Sequence, residues 1–152
     1  GSAHDRVLLH TADVPAEARE LLRAFWTLQE VAYITSASDL HKQARFKDVF
    51  TKLHALNPEA LPYDRVVFLD LDTLVLRNID DLFEIRPPAA MCNEKSRNRA
   101  ISPPQHGQRM DAQHCYFNAG AMVLSPSRPL FDLLLADVLQ EDPQWHRQAW
   151  SP

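Results

Sequence analysis

RVVFLDLDTLVL, Arg65 to Leu76, is the stretch on which the reading of this chain turns. Val66, Val67, Phe68 and Leu69 are apolar and rich in branched or aromatic side chains, as expected of a strand buried on both faces. The run is interrupted by Asp70-Leu71-Asp72 and resumes as Thr73-Leu74-Val75-Leu76. Two carboxylates at the C-terminal tip of a buried strand are costly unless something positive meets them. In open α/β sheets, ligands bind just beyond such tips. Residues i and i+2 of a strand point the same way, so Asp70 and Asp72 can grip one cation if the backbone stays extended. Hard oxygen ligands suit Mg²⁺ or Mn²⁺. The alternative is that both carboxylates cap the following turn.

The totals frame this reading. A chain of 152 residues is long enough for one domain with a real core, so residues 1–152 are read as a single domain. A net charge of −4 and the lack of a long basic run give no indication of nucleic-acid binding. No apolar stretch reaches membrane length. The two cysteines, Cys92 and Cys115, fall in predicted strands and read as reduced core residues rather than a disulfide framework. The leading Gly1-Ser2, without Met, reads as a cloning remnant, and the sequence sets no compartment.

Upstream of the central strand, Asn57 to Pro62 is a turn. Arg45 to Leu56 is expected to be a helix, with Phe46, Val49, Phe50 and Leu53 on one stripe. Arg45 and Lys52 are seven apart, about two turns, and share a face at the edge of that stripe. They form either a basic pair aimed at phosphates or, with Asp48 before Lys52, an exposed helix pair. His54 reads as a packed or surface histidine. Further back, Arg6 to His10 and Val31 to Ile34 are expected strands. Between them lies an amphipathic helix with Pro15 in its first turn and Ala18, Leu21, Leu22 and Phe25 on one face. The handedness rule for such crossovers makes the two strands parallel.

Downstream, Asn78 is placed to cap a short helix with Asp80 and Asp81 in its first turn. Ala89 to Cys92 is a predicted strand. Asn93 to Gln113 is a long polar loop carrying Lys95, Arg97, Arg99 and Arg109. Cys115 to Leu124 is the next strand, interrupted by Asn118-Ala119-Gly120. A glycine inside a strand often marks the close approach of a ligand or another backbone. A helix then runs from Ser125-Pro126 to about Gln140, with Leu130, Leu133, Leu134 and Val138 facing inward. His106, His114 and the tail from Glu141, with Trp145 and Trp150, carry no metal or helical pattern.

YDRVVFLDLDTLVLRNIDDLF, followed by CYFNAGAMVLSPS, resembles the glycogenin-type retaining glycosyltransferases of family 8, which have the GT-A fold. The first segment carries that family's DxD motif and the NIDDLF after it, and the second matches its FN[AS]G strand. The resemblance implies a Rossmann-like α/β sheet flanked by helices. It implies a UDP-sugar donor, Mn²⁺ (or Mg²⁺) on Asp70 and Asp72, and retention of anomeric configuration. TKLH resembles the family's segment whose lysine supports the donor diphosphate, which gives that role to Lys52, with Arg45 as a weaker companion. Leu71, Asn118, Ala119 and Gly120 are then donor-site residues, and Asn118 offers an amide to the sugar; the alternative is an asparagine that stabilises a bulge. Lys52 and Asn118 are the expected catalytic side chains. The acceptor is a sugar, protein or lipid that the sequence does not specify.

The departures from the family pattern are specific. By this resemblance the chain begins at the family's second strand. Asp142 and Gln144 lie near the position of a DQ motif without forming it. His146 does not match the late histidine that supplies a third metal ligand. The chain is therefore expected to be a truncated piece whose open sheet edges can pair with another copy. Two other readings stay open: a remnant that binds nucleotide, sugar or a partner without turnover, and a haloacid-dehalogenase-type phosphatase. The latter's DxD normally continues as DxDGT, whereas Thr73 here follows Asp72 directly.

Overall fold

The computed structural model describes residues 2–36, 48–92 and 117–140. The chain divides into two compact units. A crossover unit holds residues 5–62 and 126–152, and a sheet unit holds residues 1–4 and 63–125. Together they give a mixed α/β architecture with parallel and antiparallel strands.

The crossover unit opens with β1 (Val7–His10), α1 (Ala16–Arg23) and β2 (Thr27–Glu30). The strands pair in parallel, Val7 opposite Thr27 through His10 opposite Glu30, as the crossover rule requires. The second strand lies four residues earlier than expected. Chain geometry explains the shift: the Phe25 and Trp26 N–H groups both turn back to the Leu22 carbonyl, and Thr27 then bonds the Arg6 carbonyl at 2.8 Å. Pairing starts there and has used up β1 by residue 30. Residues 31–34, the expected strand, overrun the end of their partner. The α1 stripe also differs from expectation. Ala18 and Leu22 are half-buried, but Leu21 and Phe25 stay exposed. Among the described residues the sheet beneath has two short strands, too narrow to cover the whole stripe.

The expected helix from Arg45 is described from Asp48 onward, and Val49–Leu56 is a 3-10 helix rather than an α-helix. Its period of three residues per turn lines up Asp48, Thr51 and His54. Each bonds the overrunning segment. Thr35 Oγ1 donates to Asp48 at 2.6 Å, the Ile34 N–H donates to Thr51 Oγ1 at 3.1 Å, and His54 Nε2 donates to the Ala32 carbonyl at 2.9 Å. Residues 32–35 thus satisfy backbone groups through a row of side chains instead of a ladder. Val31, Ile34, Ala55, Leu56, Ala60 and Leu61 form the core of this unit with Phe131 and Val138 of α2 (Arg128–Leu139). The Ser127 N–H bonds the Leu56 carbonyl at 2.9 Å, and Pro129 suits the first turn. Leu134 is half-buried, whereas Leu130 and Leu133 face outward, contrary to the expected inward stripe.

The sheet unit has β3 (Val66–Leu69), β4 (Ala89–Cys92) and β5 (Phe117–Leu124) in the order β3-β5-β4, all antiparallel neighbours. β3 is half-buried along its length, not buried on both faces, and among the described residues it has one strand neighbour. The apolar run does not resume as structure after Asp72: Leu74, Val75 and Leu76 are exposed and outside any strand. Asp80–Glu84 is a short 3-10 helix with both expected acids in its first turn. The N-cap position is Ile79 rather than the expected Asn78, whose Oδ1 instead accepts the Asp80 N–H at 2.7 Å in a local turn. Cys115, the polar loop from Asn93 and the tail from Glu141 lie outside the described residues.

Candidate donor site at the tip of β3

β3 ends at Leu69, and the next residue leaves the strand under two constraints. The Asp70 N–H donates to the Gly120 carbonyl at 2.8 Å, holding it against β5. The Thr73 N–H donates to the Asp70 carbonyl at 3.0 Å, which closes residues 70–73 into a β-turn. The backbone is therefore not extended through the DLD motif, and the strand-alternation argument for Asp70 and Asp72 does not apply. Asp70 is half-buried at the first position of the turn. Leu71 and Asp72 occupy its exposed central positions.

β5 supplies the other half. Its pairing with β4 runs Ala89 to Val123 and Ala90 to Met122, then jumps so that Met91 faces Asn118. Residues 119–121 thus have no partner on the β4 side, although Ala121 still pairs with Leu69 of β3. Such bulges bend a strand and re-aim its side chains. Here Asn118 Oδ1 accepts the Gly120 N–H at 2.7 Å. A Cβ on Gly120 would lie 2.9 Å from that Oδ1 and 3.4 Å from Asp70 Oδ2. The first aspartate of DLD and the asparagine of FNAG, forty-eight positions apart in the chain, border one small space that a glycine leaves open.

The chemistry of this corner is oxygen-rich. Asp70 and Asp72 are hard carboxylate donors of the kind Mg²⁺ and Mn²⁺ take, with further positions normally filled by water and substrate phosphates. Among the described residues no group of three or more His, Cys, Asp or Glu side chains is assembled to hold a metal. Asn118 is exposed, and its oxygen is already engaged, so its NH₂ is the end available to a ligand.

Of the other expected site residues, Lys52 is half-buried on the 3-10 helix, off the row formed by Asp48, Thr51 and His54. Arg45 lies outside the described residues. His54 is a packed residue: buried, tilted against Phe131 with ring centroids 5.5 Å apart, and held below its ordinary pKa by burial. The bond that ties Asn118 to Gly120 at the register break matches the bulge-stabilising alternative for Asn118. The signal was present in Asn-Ala-Gly, since an asparagine two residues before a glycine favours a side-chain bond to the backbone two positions on.

The chain matches the family model described as glycosyl transferase family 8 over residues 11–128. It belongs to glycosyltransferase family 8. The matched stretch includes DLD, FNAG and TKLH and crosses both compact units. An uncharacterized protein of Acanthamoeba polyphaga mimivirus is 33% identical over 148 residues, covering 91% of this chain and 50% of that protein. Inositol phosphorylceramide glucuronosyltransferase 1 of Arabidopsis thaliana is 32% identical over 139 residues, covering 91% and 22%. Human glycogenin-2 is 32% identical over 139 residues, covering 88% and 24%. The chain thus spans half or less of the length of these curated relatives. The mixed α/β structure is consistent with a GT-A-like domain. Among the described residues no helix is long and apolar enough to cross a membrane.

Proposed function

We propose that this chain forms the donor-site part of a metal-dependent, retaining glycosyltransferase that uses a nucleotide sugar, with UDP as the nucleotide. Residues 1–152 are read as one partial domain of that enzyme. The observation that carries the reading is the meeting of Asp70 and Asn118 at Gly120. It joins the two family motifs at one strand tip within the sheet unit. In this reading Asp70 and Asp72 hold Mn²⁺ or Mg²⁺, which when bound supplies Lewis-acid neutralisation of the diphosphate leaving group. Asn118 donates its amide to the sugar, with Leu71, Ala119 and Gly120 lining the same corner. Lys52, and Arg45 as the weaker candidate, add positive charge to the phosphates. Lys52 is carried by the resemblance of its TKLH segment to the family, and Arg45 by its spacing from Lys52 in the sequence. The acceptor is a sugar, protein or lipid. Self-association through the edges presented by β3 and β4 belongs to the same proposal.

The second reading is nucleotide or sugar binding without turnover, and the exposed turn that carries Asp72 is equally compatible with it. A panel of UDP-sugars incubated with the chain and Mn²⁺ separates the two. The names of the glucuronosyltransferase relatives make UDP-glucuronate the first donor to test. Release of UDP from one donor, lost in Asp72→Asn, supports transfer or hydrolysis. Metal-dependent binding with no release leaves the binding reading. Absence of both overturns the proposal.

A further inference from the structure

The corner between β3 and β5 contains a contact that the chemistry of the carboxylates does not need. Asn118 Oδ1 is pinned by the Gly120 N–H at 2.7 Å, and the position a Cβ would take on Gly120 is 2.9 Å from the same oxygen. Real side chains do not tolerate that approach. The other near neighbours of that position, Asp70 Oδ2 at 3.4 Å and Asp70 Cγ at 3.9 Å, are at ordinary van der Waals distance. An alanine at 120 therefore leaves the strand and Asp70 in place. It forces the Asn118 carboxamide to swing away and to lose its bond. The atom facing the Gly120 N–H must be the carboxamide oxygen, because an N–H cannot accept. This fixes the polarity of the side chain, with oxygen inward on the bulge and NH₂ outward.

We infer that Gly120 is a positioning residue. By lacking a Cβ and donating its N–H, it locks Asn118 so that a donor NH₂, and not a second acceptor, is presented next to the Asp70 carboxylate. A carboxylate flanked by an outward-facing oxygen would meet an oxygen-rich ligand with acceptors on every side. With the amide held, the corner offers one anionic group for a cation and one neutral donor for a sugar hydroxyl or phosphate oxygen. The register break in β5 is the backbone device that brings Gly120 and Asn118 into this relation. The ligand class rests on the donor-site reading above, whereas the coupling of Gly120 to Asn118 does not.

The test is a double-mutant cycle of Gly120→Ala and Asn118→Ala in the full chain. UDP-glucuronate affinity, which includes the sugar that Asn118 is read as holding, is measured in Mn²⁺, and unfolding midpoints are measured in urea. Each single change should weaken UDP-glucuronate binding by a similar factor, roughly two- to tenfold for one lost hydrogen bond. The double variant should bind no more weakly than Asn118→Ala alone. A merely structural glycine would lower the midpoint and leave the affinity of the folded chain unchanged. That result, or losses that multiply in the double variant, overturns the inference. The urea cycle decides the matter even without ligand. Midpoint shifts that overlap in the double variant support the coupling, and shifts that add reject it. Absence of Mn²⁺-dependent UDP binding in the parent chain counts against the donor-site reading alone.

Discussion

The row Asp48, Thr51 and His54 and the corner formed by Asp70, Asn118 and Gly120 both lie in motif-bearing segments, and they spend their polar groups in opposite ways. In the row, Thr51 and His54 are turned onto the backbone of Ile34 and Ala32, Asp48 takes the Thr35 hydroxyl, and His54 is buried. In the corner, the hydrogen bonds run between the motif residues themselves, and Asn118 and Asp72 stay exposed. The first arrangement stabilises the crossover unit. The second brings a carboxylate and an amide together at a strand tip. A motif such as TKLH can thus owe its threonine and histidine to the fold.

This contrast predicts where stability and binding separate. His54→Ala should cost the most stability, about 2–3 kcal/mol, because it removes packing on Phe131 and the partner of the Ala32 carbonyl. Asp72→Asn, on an exposed turn, should stay within about 0.5 kcal/mol. Equal losses in urea denaturation would erase the distinction. Thr51→Val keeps the shape but strands the Ile34 N–H, and should cost about 1–2 kcal/mol by the same measurement.

The pH dependence sharpens the point further. Burial holds His54 below its ordinary value near 6.5, against the opposing effect of its bond to Ala32. The folded chain then takes up this proton less readily than the unfolded chain. Its contribution is complete above the ordinary value and declines as pH falls through it. Between about pH 7 and about pH 5, the parent should lose more stability than His54→Ala does. The smallest effect belongs to Arg128→Ala. Its guanidinium bonds Glu59 and both oxygens of Asp132, but all three groups are exposed. The unfolding midpoint should hardly move, and any change should vanish in high salt. A salt-resistant loss would show that the network is more than a surface pair.

Much of the sheet unit was legible because its signals are local. The VVFL run, the Ala89–Cys92 strand and the Asn78 turn each follow from residues within a few positions of one another. The crossover unit was legible in its parallel pairing but not in its register, which is set by where β1 ends rather than by the apolarity of residues 31–34. Val31 and Ile34 are buried without extending the ladder, and periodicity alone cannot express that outcome. In the candidate site, Asp70 and Asn118 could be picked out by residue type and motif. Their meeting could not, because it depends on a three-residue register break and on a turn that closes where an extended strand was expected.

The central claim is that the Asp70 and Asp72 carboxylates make UDP binding depend on a divalent cation. Calorimetric titration of UDP into the chain, with and without Mn²⁺, and into Asp72→Asn tests it most directly. The account predicts binding that requires Mn²⁺ and falls by about a hundredfold, roughly 2.7 kcal/mol, in the variant. UDP binding of equal strength without the metal, or unchanged in Asp72→Asn, would contradict it.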